Sequence, residues 1–187
     1  MRHGFKTEAR ELALQVRREV GIADADPFDP ELWAREYGIP LLSLHQLACS
    51  QRAKDHFLRD RVGSWSAALV TNGVGQLIVF NPSHAPVRIR SNVSHEAGHV
   101  ILEHPNETHV SFDAGCDADS LLESEATELA GELLLPTRTA RRLAASGASD
   151  SEVADAFGIS IPMAKWRMNA TGARLIARRR RDINRGS

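Results

Sequence analysis

Over residues 8–20 apolar side chains return every fourth position, with Leu12, Val16 and Val20 separated by Arg and Glu. This period predicts an amphipathic helix that packs one stripe inward. A turn-rich run follows, in which Asp29 can cap a helix whose first residue is Pro30 and which Gly38 ends. From Ile39 the pattern changes: residues 39–47 are short and apolar, and residues 67–82 hold two apolar runs joined by Asn72, Gly73, Val74 and Gly75, which predicts a β-hairpin. Pro82 and Pro86 close the strand region. Residues 87–104 then run without Pro or an internal turn signal and predict a helix, while residues 105–120 are polar and turn-rich. A second long helix is predicted over residues 121–136, stopped by Pro136, and short helices separated by Gly147 and Gly158 follow it. The expected class is α+β, with two long helices beside a small antiparallel sheet and a helical carboxyl-terminal region.

Composition narrows what such a chain can do. At 187 residues and 42% hydrophobic it can bury a real core with a small appendage. The 23 basic and 24 acidic residues argue against a nucleic-acid or membrane partner for the whole chain. Charge is uneven, however: from residue 160 on, eight Lys or Arg against one Asp leave a local excess of +7. Cys49 and Cys116 form no metal or redox pair and are expected to be reduced thiols. The charged start has no signal-like apolar run, and no segment is as long and apolar as a spanning helix, so a soluble cytoplasmic protein is expected.

The chemistry concentrates in His95-Glu96-Ala97-Gly98-His99. Histidines at i and i+4 project from one helix face and can share a metal, and neutral imidazoles suit Zn²⁺. Glu96, about 100° round the helix from His95, is placed to act as general base toward a water. Such a motif arises in about two of a hundred shuffled chains of this composition, so it carries weight without deciding the matter. A catalytic zinc takes three protein ligands, and Glu123, Glu125, Glu128 and Glu132 of the second long helix compete to be the third. On a helical projection centred on Ala126, the apolar face holds Leu122, Leu129, Ala130, Leu133 and Leu134. Glu123 lies about 60° from that centre and the other three about 100° to 160°. Glu123 is therefore the expected third ligand, with one zinc per chain.

With these residues in place the chain resembles the ImmA/IrrE family of metallopeptidases. A helix bearing H-E-x-x-H is followed there by E-x-x-A-x-x-x-A-x-x-L-L-x-P, matched here by Glu123, Ala126, Ala130, Leu133, Leu134 and Pro136. The opening is similar too, with a PxDPxxLA-like stretch at residues 27–34 and GIPL at residues 38–41. Thr127 and Leu129 depart from the common pattern, which has Asn or Asp and Phe there. The resemblance also implies the third ligand at Glu123. It further implies a substrate class, a helix-turn-helix repressor that is cleaved or otherwise inactivated, in mobile elements or stress responses.

Two regions are expected from this reading: a zinc metallopeptidase domain over residues 1–137, and a small helical region with a basic tail over residues 138–187. The latter has the outline of a helix-turn-helix, with Val153 and Ala154 on a first helix, Gly158 at the turn, and Trp166 on a second. Lys165, Arg167 and residues 178–181 would suit DNA, but the preferred reading is a helical cap on the peptidase core. The hairpin strand Gln76, Leu77, Ile78, Val79 and Phe80 is the expected edge to which an extended substrate would add. His104 should not reach the metal, His84 and His109 are candidate oxyanion donors, and Tyr37 is expected in the core. The alternative is a zinc-containing DNA-binding regulator, or a toxin-antitoxin partner that binds a repressor without cutting it.

Overall fold

A computed structural model describes residues 1–71, 73, 75–105 and 120–185. The chain divides into two compact units, one of residues 1–5 and 29–130, the other of residues 6–28 and 131–187.

In the first unit, Asp29 caps helix α2 (Pro30–Glu36) as its sequence predicts, its carboxylate accepting from Glu31 N at 2.9 Å and Leu32 N at 3.2 Å. Trp33 buries the apolar side of this helix. Tyr37, expected inside, is 37% exposed and rests on Trp33 with ring centroids 5.4 Å apart. It stands at the C-cap of α2, past the last helical residue, and so outside the buried face of that helix.

Strands β1 (Leu41–Ser43), β2 (Ala67–Thr71) and β3 (Gln76–Phe80) form one sheet in the order β1-β3-β2. The β2–β3 hairpin is antiparallel, with Leu69 opposite Ile78, whereas β1 pairs parallel to β3 with Leu41 opposite Ile78. The sheet is thus mixed, not wholly antiparallel. Its middle strand is β3, so Ile78, Val79 and Phe80 have partners on both sides and Gln76 and Leu77 are already paired with β2. At Ile78, Val79 and Phe80 the substrate-accepting edge expected of β3 is overturned, because main chain that faces a strand on each side has none left to offer. Sequence alternation alone cannot tell a central strand from an edge one. One sheet face packs Ala68 and Val79 with Leu44 and Trp65, and the short helix α3 (Gln51–Asp55) leads into the turn that adds Phe57 to this cluster. Ala67, Leu69 and Ile78 are buried as well, and β2 and β3 carry helix α4 (Pro86–Ile101).

Helix α4 begins at Pro86 and stops three residues short of the predicted end. There Glu103 takes a left-handed conformation, φ 51°. Its N–H donates to Val100 O and that of His104 to His99 O, both at 3.1 Å, a Schellman closure with a glutamate where glycine is usual. Helix α5 (Ser120–Leu134) crosses α4 at Gly98. A Cβ at that position would lie 2.9 Å from the Ala126 carbonyl oxygen and 3.2 Å from its Cα. The two helices therefore meet backbone to backbone, a separation that only glycine allows.

In the second unit, helix α1 (Phe5–Glu19) supplies a stripe through Ala9, Ala13, Val16 and the following Val20, one position round from that predicted through Leu12. Helices α6 (Thr137–Ser146), α7 (Asp150–Phe157), α8 (Ile161–Ala170) and α9 (Ala173–Arg185) enclose a core of Leu134, Leu135, Val153, Phe157, Ile159 and Met168. Gly158 at φ 57° ends α7, and Ser160 caps α8 through Met163 N. Arg167 does not face solvent as a DNA contact would. It is 0% exposed, donates to Leu135 O at 3.0 Å and pairs with Glu132 at 2.8 Å. Glu132 in turn accepts from Thr137 N at 2.8 Å.

Among the described residues no helix is long and apolar enough to cross a membrane. Cys49 is an exposed free thiol, while Cys116 and His109 lie outside the described residues.

The crossing at Gly98 generates a test. Alanine would add about 1 kcal/mol of helix propensity but overpack a backbone contact at a cost of about 1–3 kcal/mol. Gly98→Ala should therefore be less stable than the native chain in urea titration; a raised midpoint would show that the crossing has room to spare.

Candidate metal centre

Helix α4 presents His95 and His99 one turn apart, and the crossing at Gly98 brings α5 close enough for Glu123 to meet both. His95 Nε2 lies 3.0 Å from one Glu123 oxygen and His99 Nε2 3.2 Å from the other. The two Nε2 atoms are 3.2 Å apart. The donor atoms of these three residues all fall within 4.8 Å of one another. Tetrahedral zinc with bonds near 2.05 Å separates its ligand atoms by about 3.3 Å. Two imidazoles and a carboxylate at these spacings fit such an ion with little adjustment.

What stands behind the donors supports the same fit. A metal-binding imidazole offers one nitrogen and needs a partner for the other. Thr127 Oγ1 is 3.4 Å from His95 Nδ1, and His104 Nδ1 is 3.0 Å from His99 Nδ1. Both Nε2 atoms are thus the ones turned toward Glu123. Thr127, a departure from the common pattern of the family it resembles, lies one turn beyond Glu123 and so serves the same face of α5.

Glu96, next in sequence to His95, is 3% exposed and accepts from Leu69 N on β2 at 3.0 Å. Burial pushes its carboxyl above the ordinary value, and the pull of His95, His99 and the Leu69 N–H only partly opposes this. Glu123 behaves oppositely: hydrogen bonds from His95 and then His99 hold it well below the usual carboxylate range, against its own desolvation. For His95 burial is the largest single influence and acts downward, but the Glu123 bond and the charges of Glu96 and Glu123 together raise it. Two glutamates at one centre are thereby split, one favoured as the anion and the other made a stronger base.

The remaining candidates sort themselves by geometry. Glu125 turns the other way, where Arg2 donates to it from its main-chain N at 2.8 Å and from Nε at 3.0 Å. Glu132 belongs to the buried pair with Arg167, and Glu128 is outside the three-residue cluster. His84 bonds to Trp65 O at 3.0 Å. His104 is outside the cluster, as its position on the projection predicts, but its contact with His99 was not foreseen. The signal was available: a residue five beyond a helical histidine, just past the helix end, is where a Schellman closure folds the chain back.

A family model, that of the IrrE N-terminal-like domain of peptidase family M78, matches residues 50–169. No curated protein matches the chain. The matched span contains His95, Glu96, His99, Glu123, Thr127 and His104.

The geometry predicts which carboxylate matters for metal. Glu123→Gln should lose its ion on desalting, since the amide keeps the shape and removes the charge, while Glu125→Gln should hold about one zinc at saturating metal. Elemental analysis with the two results reversed would show that the cluster has been misread.

Proposed function

The chain belongs to the IrrE N-terminal-like family of peptidases, and we propose that it is a zinc-dependent endopeptidase that cuts a specific regulatory protein in the cytoplasm. The observation that carries this reading is the convergence of His95, His99 and Glu123 within 4.8 Å, beside a buried glutamate adjacent in sequence. When bound, zinc supplies Lewis acidity toward the scissile carbonyl and toward water.

The protein's own groups do the rest. His95 and His99 contribute neutral nitrogen donors, and Glu123 contributes a carboxylate that the two histidines hold well below the usual range. Glu96, steadied by the Leu69 N–H, takes the proton of the attacking water and delivers it to the departing amine. Its raised carboxyl pKa makes it a stronger base for the first half of that transfer. The outer strands of the sheet are β1 and β2, and Leu69 ties β2 to Glu96. An extended substrate paired along β2 would pass the scissile bond close to that carboxylate.

We take the substrate to be a helix-turn-helix repressor, the class implied by the family resemblance. The buried Arg167 weighs against the alternative of a DNA-binding regulator, because the cation on the middle of α8 is committed to Glu132 and Leu135.

Glu96→Gln should keep its zinc and fold yet lose about 10² to 10⁴ in cleavage rate, the usual worth of a general base. Native-like turnover by a zinc-loaded Glu96→Gln protein would remove Glu96 from the mechanism. Specificity is tested separately by mass spectrometry of the repressor encoded beside the gene after incubation with the enzyme. One or a few cuts are expected there and little degradation of casein. Efficient casein cleavage, abolished by chelator and by Glu96→Gln, would overturn the regulatory substrate and leave the peptidase intact.

A further inference from the structure

We propose that His104 is the positioning residue for His99, fixing its ring and the side on which it carries its proton; this rests on the reading of the centre as a zinc site. The carrying observation is a nitrogen-to-nitrogen contact, His104 Nδ1 to His99 Nδ1 at 3.0 Å, between two buried rings. A hydrogen bond there needs one proton between the two nitrogens. A neutral His99 that gives its Nε2 lone pair to a metal has its only proton at Nδ1, so His104 Nδ1 must be the acceptor. The remaining proton of His104 is then on Nε2, which faces Glu125 Oε2 at 4.0 Å. Arg2 holds Glu125 in place from the other side.

The backbone is built to this end. In a Schellman closure the residue after the left-handed position folds back over the helical residue five before it, and an apolar contact commonly fills that place. Here the two residues are His104 and His99, linked also by the His104 N–H to His99 O bond at 3.1 Å. The left-handed position is occupied by Glu103 rather than glycine, a conformation that costs about 1–2 kcal/mol for a residue with a side chain. The row from Arg2 through Glu125 and His104 to His99 thus places a carboxylate behind the metal-facing histidine with a second ring between.

Zinc affinity, measured by competition with a chromophoric chelator, separates this role from simple packing. His104→Leu fills the space without an acceptor, whereas His104→Asn keeps a polar amide near the place of Nδ1. Leucine should weaken zinc binding by about 10- to 100-fold, the usual effect of losing an outer partner, and asparagine should recover most of it. Nitrogen NMR of the zinc-loaded native chain should show His99 protonated at Nδ1 and His104 at Nε2. Native-like affinity in His104→Leu, equal losses in both variants, or a His99 ring protonated at Nε2 would overturn the role. Failure of the native chain to bind zinc would bring down the reading of the centre and this role with it. Zinc binding without cleavage would bring down the peptidase alone.

Discussion

A missing methyl group at Gly98 governs how near helices α4 and α5 approach. With the Ala126 carbonyl 2.9 Å from where a Cβ would sit, α4 and α5 touch through their backbones. That closeness lets a glutamate side chain on one helix reach two imidazoles on the other, and it also lets Thr127 reach the far nitrogen of His95. A wider crossing, of the kind larger side chains enforce, would leave the histidines facing a gap. Geometry at the centre is therefore inherited from packing, and the side chains there have little slack to correct it.

Around that crossing the electrostatics are divided by environment rather than by residue type. Glu96 and Glu123 have the same chemistry in solution, yet burial raises one while histidine donors lower the other. Each histidine of the pair has something behind it, Thr127 for His95 and His104 for His99, so both rings turn the same nitrogen toward Glu123. The Leu69 N–H ties the sheet to this arrangement through Glu96. Order at the site thus comes from three separate elements, β2, α5 and the closure at the end of α4.

The second unit uses charge differently. Glu132, Arg167, Thr137 and the Leu135 carbonyl form a buried polar group whose members satisfy one another. A pair of this sort adds little net stability over an apolar replacement, but removing one partner strands the other at a cost of about 3–5 kcal/mol. Glu132 and Glu123 stand on the same helix with opposite fates, which shows how little a helix's own sequence says about what each of its carboxylates will meet.

Periodicity and punctuation were enough to read several elements: Asp29 and Pro30 opened α2, the run of turn residues at 72–75 marked the hairpin, and Pro136 closed the second long helix, whereas α3 and the helix α9 formed by the basic tail were not read. The histidine pair was legible because helical spacing is local, and the projection of α5 singled out Glu123, which the structure brings to those histidines. Relations between distant segments were beyond that reach. Strand order depends on how β1 returns to the sheet, so alternation in residues 76–80 could not reveal that they form the middle strand. Nor could an exposed-looking Arg167 be told from a buried one, since its partner Glu132 is 35 residues away in sequence. His104 lay between the two cases: its spacing from His99 is local, but a glutamate in the left-handed conformation is not something sequence favours. Local chemistry sets what each segment can form, whereas the contacts that select among those possibilities are made by residues far apart along the chain, and only the folded packing brings them together.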